Sequence, residues 1–136
     1  MRLIIAGSRD FDDYALLVRE TDALLKNFYH GEIEIVSGGA RGADNLGEKY
    51  ARLKRYALKV FQADWRKFGK SAGYIRNEEM AKYADHLLLF WDGESRGSKH
   101  MLDLAQDYGL VVKVVKFGVV AKLVDAPVLE AGGDTP

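Results

Sequence analysis

Three short glycine-rich segments carry the residues best suited to bind a ligand, and each directly follows an apolar run. The central segment, Ser37 to Asp44, contains three glycines within five positions. Glycine removes side chains from a turn, so a ligand can approach the backbone and positive φ angles are tolerated. The helix expected next points free N–H groups and the positive end of its dipole at the loop. This segment therefore predicts a phosphate-binding loop.

The other two segments lie near the N-terminus and after a later apolar run. In the first, Gly7 to Asp10, Ser8 and Arg9 can hydrogen-bond a phosphate or a base edge, although Arg9 can equally pair with a surface aspartate. In the third, Asp92 to Ser98, Asp92 can bind ribose hydroxyls or act as a general base, but Asp-Gly is also a common turn pair. Ser98 and its neighbours predict either a second anion site or a simple helix cap.

A basic residue on a predicted helix completes the set. The guanidinium fork of Arg76 suits a phosphate, although a solvated helix arginine is the plainer alternative. Asp44 can contact a ligand or cap its own helix. The candidate ligand-binding residues are Gly7, Ser8, Arg9, Ser37, Gly38, Gly39, Ala40, Gly42, Ala43, Asp44, Arg76, Asn77, Asp92, Gly93, Ser95, Gly97 and Ser98.

Composition limits the classes of protein to consider. The 136 residues fit one domain, and 48% hydrophobic with 29% charged residues predict a folded, soluble chain. Lysine and arginine total 20, as do aspartate and glutamate, which disfavours a nucleic-acid partner. Cysteine is absent and the three histidines have no ligand spacing, so we expect no disulfide and no metal site. No apolar run has membrane-spanning length, and we expect a cytoplasmic protein with no membrane partner.

Apolar runs alternate with segments of helical periodicity, which is typical of a parallel sheet with right-handed crossovers. The sequence predicts an α/β fold, a Rossmann-like three-layer α/β/α sandwich with a mostly parallel five-stranded sheet. Residues 1–117 form the expected domain, and 118–136 form a C-terminal extension that we expect to be partly flexible. The expected strands are Arg2–Ala6, Ile33–Ser37, Ala57–Phe61, His86–Trp91 and Leu110–Phe117, and the expected helices are Tyr14–Phe28, Gly42–Arg55, Ala72–Tyr83 and Lys99–Tyr108.

Two local details of this scheme are also predicted. Residues 63–71 are expected to be irregular, and Leu53 is expected to face the core from the second helix. In open parallel sheets, ligands bind at the carboxyl ends of the strands, where the strand order reverses. The three glycine loops all follow strands, so they should line one crevice. The loops match neither a G-x-G-x-x-G fingerprint nor a Walker A motif, which disfavours dinucleotide dehydrogenases and P-loop ATPases.

Taken together, the motifs resemble the YspA-like branch of the SLOG superfamily, which also contains the LOG phosphoribohydrolases and the DprA-type DNA-processing proteins. The resemblance covers about residues 1–117 and implies a Rossmann-like fold that binds a nucleotide or nucleotide-derived ligand, such as an ADP-ribose-like molecule. It also implies a homo-oligomer, a dimer or higher, and a setting in phages or in conflict systems. The matching motifs are Gly7-Ser8-Arg9-Asp10, Ser37 to Asp44, Ala63-Asp64-Trp65, Gly69-Lys70, Ala72-Gly73, Arg76-Asn77-x-x-Met80 and Phe90 to Gly97.

The resemblance to LOG enzymes also names candidate catalytic residues. Those enzymes hydrolyse the N-glycosidic bond of nucleotides with an arginine, matched by Arg76, and a glutamate. Met101 stands at the glutamate position, and a thioether can neither take a proton nor stabilise a cation. Asp92 or Glu94 can supply a carboxylate from the same loop, and Arg76 and Asp92 are the candidate catalytic residues.

Three hypotheses follow for the function. The leading one is binding of a small nucleotide derivative, as a sensor or sequestering domain, with no certain cofactor. The alternatives are a nucleotide N-glycosidase and a DprA-like module for single-stranded DNA. Trp65 and Trp91 can stack on a base, with a partly buried core position as the plainer alternative for Trp91.

Overall fold

In the computed structural model, residues 1–118 are described, and the predicted extension lies almost wholly outside them. A five-stranded sheet forms the centre, with the order β3-β2-β1-β4-β5 and every adjacent pair parallel. This confirms the predicted fold class. The strands are β1 (Arg2–Gly7), β2 (Glu34–Ser37), β3 (Ala57–Val60), β4 (His86–Trp91) and β5 (Val111–Lys116).

Helices cover both faces of the sheet and connect consecutive strands. Among residues 1–118, no helix has the length and apolar character needed to cross a bilayer. Two short 3-10 segments, His30–Glu32 and Gly69–Ser71, complete the secondary structure. The α-helices are α1 (Tyr14–Leu25), α2 (Ala43–Lys54), α3 (Trp65–Phe68), α4 (Ala72–Tyr83) and α5 (Arg96–Asp107).

The side chains of β1 alternate between two hydrophobic clusters, one on each face of the sheet. Leu3 and Ile5 pack with residues of α1 and α2. Ile4 and Ala6 pack with residues of α4 and α5. Because β1 and β4 are apolar on both faces, they can only lie in the middle of a sheet that is covered on both sides.

Helices α1, α3 and α5 begin where a side chain accepts a hydrogen bond from a free N–H group of the first turn. Asp13 caps α1, since its Oδ1 accepts from the Leu16 amide at 3.0 Å. Ser95 caps α5 through its Oγ, which accepts from the Ser98 amide at 3.4 Å. Helix α5 therefore begins at Arg96, three residues before the predicted start.

The prediction that Leu53 faces the core was wrong, because this side chain is 65% exposed. The buried stripe of α2 is centred on Gly47 and Ala51, since Gly47 lets the helix approach Ile5 of β1. At 3.6 residues per turn, Leu53 lies about 140° around the helix from the centre of that stripe.

The segment 63–71, expected to be irregular, contains the short helix α3 and a 3-10 turn. Asp64 caps α3 by accepting from the Lys67 amide at 3.1 Å. A helix of four residues is too short to produce a periodic apolar pattern, so in the sequence only the capping residue Asp64 indicates this helix.

A substitution at Gly42, at the start of α2, tests how tightly the loops are packed. Its φ is +82°, and an added Cβ would lie 2.6 Å from the carbonyl carbon of Arg9 and would also clash with the carbonyl oxygen of Ser8. We expect Gly42→Ala to lower the free energy of unfolding by about 2–4 kcal/mol, through backbone strain and overpacking. Urea denaturation followed by circular dichroism measures this loss.

Gly31→Ala is the matched control, because a Cβ at Gly31 meets no atom within 4 Å. We expect this variant to differ from the wild type by less than about 0.5 kcal/mol. Equal losses in the two variants would show that the loop around Gly42 is free to move.

Candidate ligand-binding site

The strand order reverses between β1 and β4, because the chain leaves β1 toward β2 and β3 on one side and returns to β4 and β5 on the other. A crevice of about 410 Å³ opens at the carboxyl ends of these two strands. All three glycine-rich loops contribute to its walls, as the sequence predicted from their positions after strands. The three loops therefore converge because of the order of the strands in the sheet.

Ser8 joins the loops to one another and is almost fully buried, with 1% exposure. Its amide donates to the carbonyl oxygen of Phe90 at 2.9 Å, and its Oγ accepts from the Asp92 amide at 3.1 Å. Its carbonyl oxygen accepts from the Ala43 amide at 3.3 Å. Ser8 thus ties the end of β1 to the loop after β4 and to the start of α2, besides lining the crevice.

Asp44 lies on the wall of the crevice with 5% exposure. Its carboxylate accepts from the Ala40 amide at 3.3 Å. The cap of α2 is Gly42, which makes no side-chain hydrogen bond, so Asp44 does not cap its own helix. The amides expected to hold a phosphate are therefore partly used by an internal carboxylate.

Burial raises the pKa of Asp44 from 3.8 to about 6. The amide of Ala40, the guanidinium of Arg76 and the amide of Gly7 each act in the opposite direction, while the carboxylate of Glu48 adds to the rise. The removal of the carboxylate from water thus outweighs the hydrogen bonds that stabilise its charge.

Arg76 reaches across from α4 to the glycine loop. One Nη donates to the carbonyl oxygen of Gly38, and Nε donates to Oδ1 of Asn77 at 3.0 Å. Asn77 is held in turn, because its Nδ2 lies 3.2 Å from Nδ1 of His100 and 3.4 Å from the carbonyl oxygen of Gly97. Asn77 is thus a positioning residue for Arg76.

The walls carry three arginines, Arg9, Arg41 and Arg76, together with three aspartates, Asp10, Asp44 and Asp92. Within the described part of the chain, none of these arginines forms an ion pair with a carboxylate. Burial lowers the pKa of Arg76, the carboxylate of Asp44 acts in the opposite direction, and the positive charge of Arg9 lowers the pKa further. Unpaired guanidinium groups on a concave wall attract an anion.

Ser98, in the first turn of α5, is buried at 4% exposure and lines the crevice. Its Oγ makes no hydrogen bond to any residue within 1–118. A buried hydroxyl without a partner loses roughly 1–3 kcal/mol of stability, which a ligand atom can restore. Met101, one turn further along α5, is 2% exposed and contributes an apolar floor.

Asp92 forms the turn that the Asp-Gly pair predicted, and it also lines the crevice. Its Oδ1 accepts from the amides of Glu94 and Ser95, each at 2.8 Å. These two hydrogen bonds, that of Glu94 first, hold the pKa of Asp92 below its usual value. A carboxylate that is stabilised in its ionised form is a weak proton acceptor.

Most of the candidate residues line the crevice, while Gly38 and Gly39 line a second cavity of about 330 Å³ beside it. Four candidates line neither space. Ser37 is fully buried, and its Oγ donates to Oε2 of Glu48 at 2.7 Å. Ala43 is fully buried, Gly42 packs on the backbone of the first loop, and Gly93 lies at the exposed turn. These four residues shape the loops.

Sequence reasoning missed several residues of the crevice. Arg41 lies within the central loop, and its positive charge among the loop glycines could have identified it as a candidate. The apolar floor gave no such signal, because buried methionine and leucine look like ordinary core residues. The missed lining residues are Ala6, Asp10, Arg41, Met80, Leu89 and Met101, and His100 acts behind them through Asn77.

The fold and the crevice define a Rossmann-like domain with a polar, arginine-lined site at the point of strand reversal. The profile of the YspA, cpYpsA-related SLOG family (YAcAr) matches residues 1–68. The chain is also 35% identical over 125 residues to the Gene 61 protein of Mycobacterium phage D29, covering 86% of this chain and 96% of that protein. The chain therefore belongs to the YspA/cpYpsA-related SLOG family, which confirms the resemblance found in its motifs.

A solved structure adds support for the fold. DNA processing protein A from Helicobacter pylori, whose structure was described together with its single-stranded DNA binding mode, matches with a TM-score of 0.60 and 19% identity. The match covers 92% of this chain and 72% of that chain. At this level of identity the likeness establishes a shared architecture.

The raised pKa of Asp44 gives a prediction about stability. Between the unfolded value of 3.8 and the folded value of about 6, the native state binds more protons than the unfolded state. Stability from this group is therefore present at low pH and decreases as pH rises through that interval. We expect the free energy of unfolding of the wild type, relative to Asp44→Asn, to fall by up to about 3 kcal/mol between about pH 3.5 and pH 7.

Urea denaturation of both proteins at a series of pH values provides the measurement. Taking the difference between the two curves cancels the titration of all other groups. A difference that stays constant with pH would mean that the Asp44 carboxyl titrates normally.

Proposed function

We propose that this protein binds a nucleotide or nucleotide derivative, with a phosphate group held in the crevice between the loops that follow β1 and β4. The observation that carries the proposal is the cluster of unpaired guanidinium groups, Arg9, Arg41 and Arg76, around a concave wall. Planar guanidinium groups that form no ion pair with a carboxylate match the oxygens of a phosphate.

Two further features favour a nucleotide over a bare inorganic ion. The crevice volume of about 410 Å³ exceeds that of an ion and falls within the usual range of small-molecule sites. Its lining combines polar groups, such as the unpartnered hydroxyl of Ser98, with the apolar side chains of Met80, Leu89 and Met101. The sugar that a nucleotide carries beside its phosphate suits this mixture of surfaces.

The first test is a thermal-shift screen with AMP, GMP, ADP-ribose, NAD and adenosine. A ligand that binds only the native state raises the melting temperature with concentration. We expect a shift with the phosphate-bearing compounds and a much smaller one with adenosine. No shift with any of them, confirmed by calorimetry, would contradict the proposal.

Arg9 provides a direct test of the phosphate contact, because its exposed side chain contributes no ion pair to the fold. We expect Arg9→Ala to weaken the binding of the best phosphate-bearing ligand roughly 10- to 100-fold, since a hydrogen bond between charged groups is lost. The melting temperature of the free protein should stay unchanged.

Arg66→Ala is the matched control, because Arg66 is an exposed arginine on α3 that lines neither the crevice nor the adjoining cavity. Isothermal titration calorimetry at two salt concentrations compares the variants. Equal affinities for Arg9→Ala and Arg66→Ala would place the phosphate elsewhere.

A second candidate function is hydrolysis of the N-glycosidic bond of the bound nucleotide. It is favoured by Asp44, a carboxyl on the crevice wall whose pKa of about 6 suits proton transfer near neutral pH. Two observations count against hydrolysis. The hydrogen bonds of the turn keep Asp92 ionised, and Met101 supplies no carboxylate. Chromatography of each ligand after incubation with the protein tests this function. Release of free base by the wild type, and not by Asp44→Asn, would show that the protein catalyses the hydrolysis.

A third candidate is single-stranded DNA, which the structural neighbour DNA processing protein A binds. The same unpaired arginines would contact consecutive phosphates of a strand. Salt-dependent binding of a short oligonucleotide, with competition by the best mononucleotide, measures whether the two ligands share the crevice.

A further inference from the structure

A second cavity, of about 330 Å³, adjoins the crevice. Arg9, Ala40, Arg41 and Arg76 line both of them. The two spaces are therefore separated only by the arginine cluster and the glycine loop. A ligand whose phosphates contact these arginines can extend from one cavity into the other.

Trp65, the first residue of α3, lines this second cavity and is 51% exposed. A methyl group placed on Gly73 would lie 3.5 Å from Cη2 of Trp65 and 3.5 Å from an Nη of Arg76. The indole and the guanidinium thus flank the same position above the start of α4. Within residues 1–118, the indole N–H donates no hydrogen bond.

Gln62 lines the same cavity from the end of β3. Its amide lies over Gly39, where an added Cβ would be 3.0 Å from Oε1 and 3.2 Å from Nε2. The amide has no hydrogen-bond partner within the described part of the chain. An unused amide beside an unused aromatic face offers stacking together with recognition of a base edge.

The local fold holds Trp65 in place. Asp64 caps α3, and the amide of Gly69 closes it by donating to the carbonyl oxygen of Trp65. Gly69 has a φ of +55°, which ends the short helix. The backbone that carries Trp65 is therefore fixed, which lowers the entropy cost of ordering the indole against a ligand.

We propose that Trp65 and Gln62 form a base-binding subsite, in which the base of the ligand stacks on the indole while the amide faces its edge. The phosphates lie at the shared arginines, so one nucleotide ligand occupies both cavities. This inference rests on the proposed function, because it places one part of the same ligand.

Ribose 5-phosphate, which keeps the sugar and phosphate but lacks the base, separates the two proposals. Calorimetry compares it with AMP and ADP-ribose on the wild type and on Trp65→Ala. We expect the variant to weaken AMP and ADP-ribose roughly 5- to 100-fold, which is the usual contribution of base stacking, and to leave ribose 5-phosphate unchanged. Trp65→Phe should retain most of the affinity, because it keeps an aromatic face.

Phe68→Ala is the matched control, since Phe68 is an exposed aromatic residue on the same helix and lies outside the second cavity. Unchanged nucleotide affinity in Trp65→Ala, or an equal loss for all three ligands, would overturn the subsite while leaving the proposed function in place. If neither the nucleotides nor ribose 5-phosphate bind the wild type, the proposed function fails and the subsite fails with it.

Discussion

The pairing of β1 with β4 is the constraint on which the rest of this structure depends. It joins two halves of the chain that are far apart in sequence, with Leu3 opposite His86 and Gly7 opposite Phe90. Both strands are buried on both faces, so helices must cover each side of the sheet. Once these strands are neighbours, the connections on either side diverge and leave a crevice at their carboxyl ends. The site is thus a consequence of the same burial that stabilises the core.

Within that crevice, the loops are hydrogen-bonded to one another. Ser8 uses its amide, hydroxyl and carbonyl groups to join three loops, and the carboxylate of Asp44 accepts from the amide of Ala40. An internal carboxylate therefore occupies part of the place where a glycine loop would bind phosphate through its backbone. For this reason the proposed function assigns the phosphate to the side chains of the arginines.

The order of elements and the location of the crevice were predictable from the sequence, because they depend on signals carried by single segments. Leu87, Leu88 and Leu89 form a continuous apolar run that suits only a strand buried on both faces, and the loop glycines mark where strands end. Convergence of the loops then follows from topology alone.

Features that depend on packing between segments were not predictable. Leu53 was misplaced because Gly47 sets the close approach of α2 to β1, and nothing in the periodicity identifies that contact. Both Ser95 and Ser98 are good helix caps by type, and only the backbone shows that Ser95 is the cap and that the Ser98 hydroxyl is left without a partner among residues 1–118. The pKa of Asp44 depends on burial by residues from several loops.

A balanced overall charge is compatible with an anion site, because the field at a surface depends on how charges are distributed. In the described chain several opposite charges pair with each other, as in Arg52 with Glu48 at 3.3 Å and Lys99 with Asp103 at 2.7 Å. Such exposed pairs add little stability, but they neutralise each other locally. The crevice walls hold three arginines and three aspartates. Because the arginines form no such ion pair among residues 1–118, their guanidinium groups remain open to an anion although the whole chain is neutral. The equal totals of acidic and basic residues are therefore weak evidence against an anionic partner, whether a nucleotide or a nucleic-acid strand.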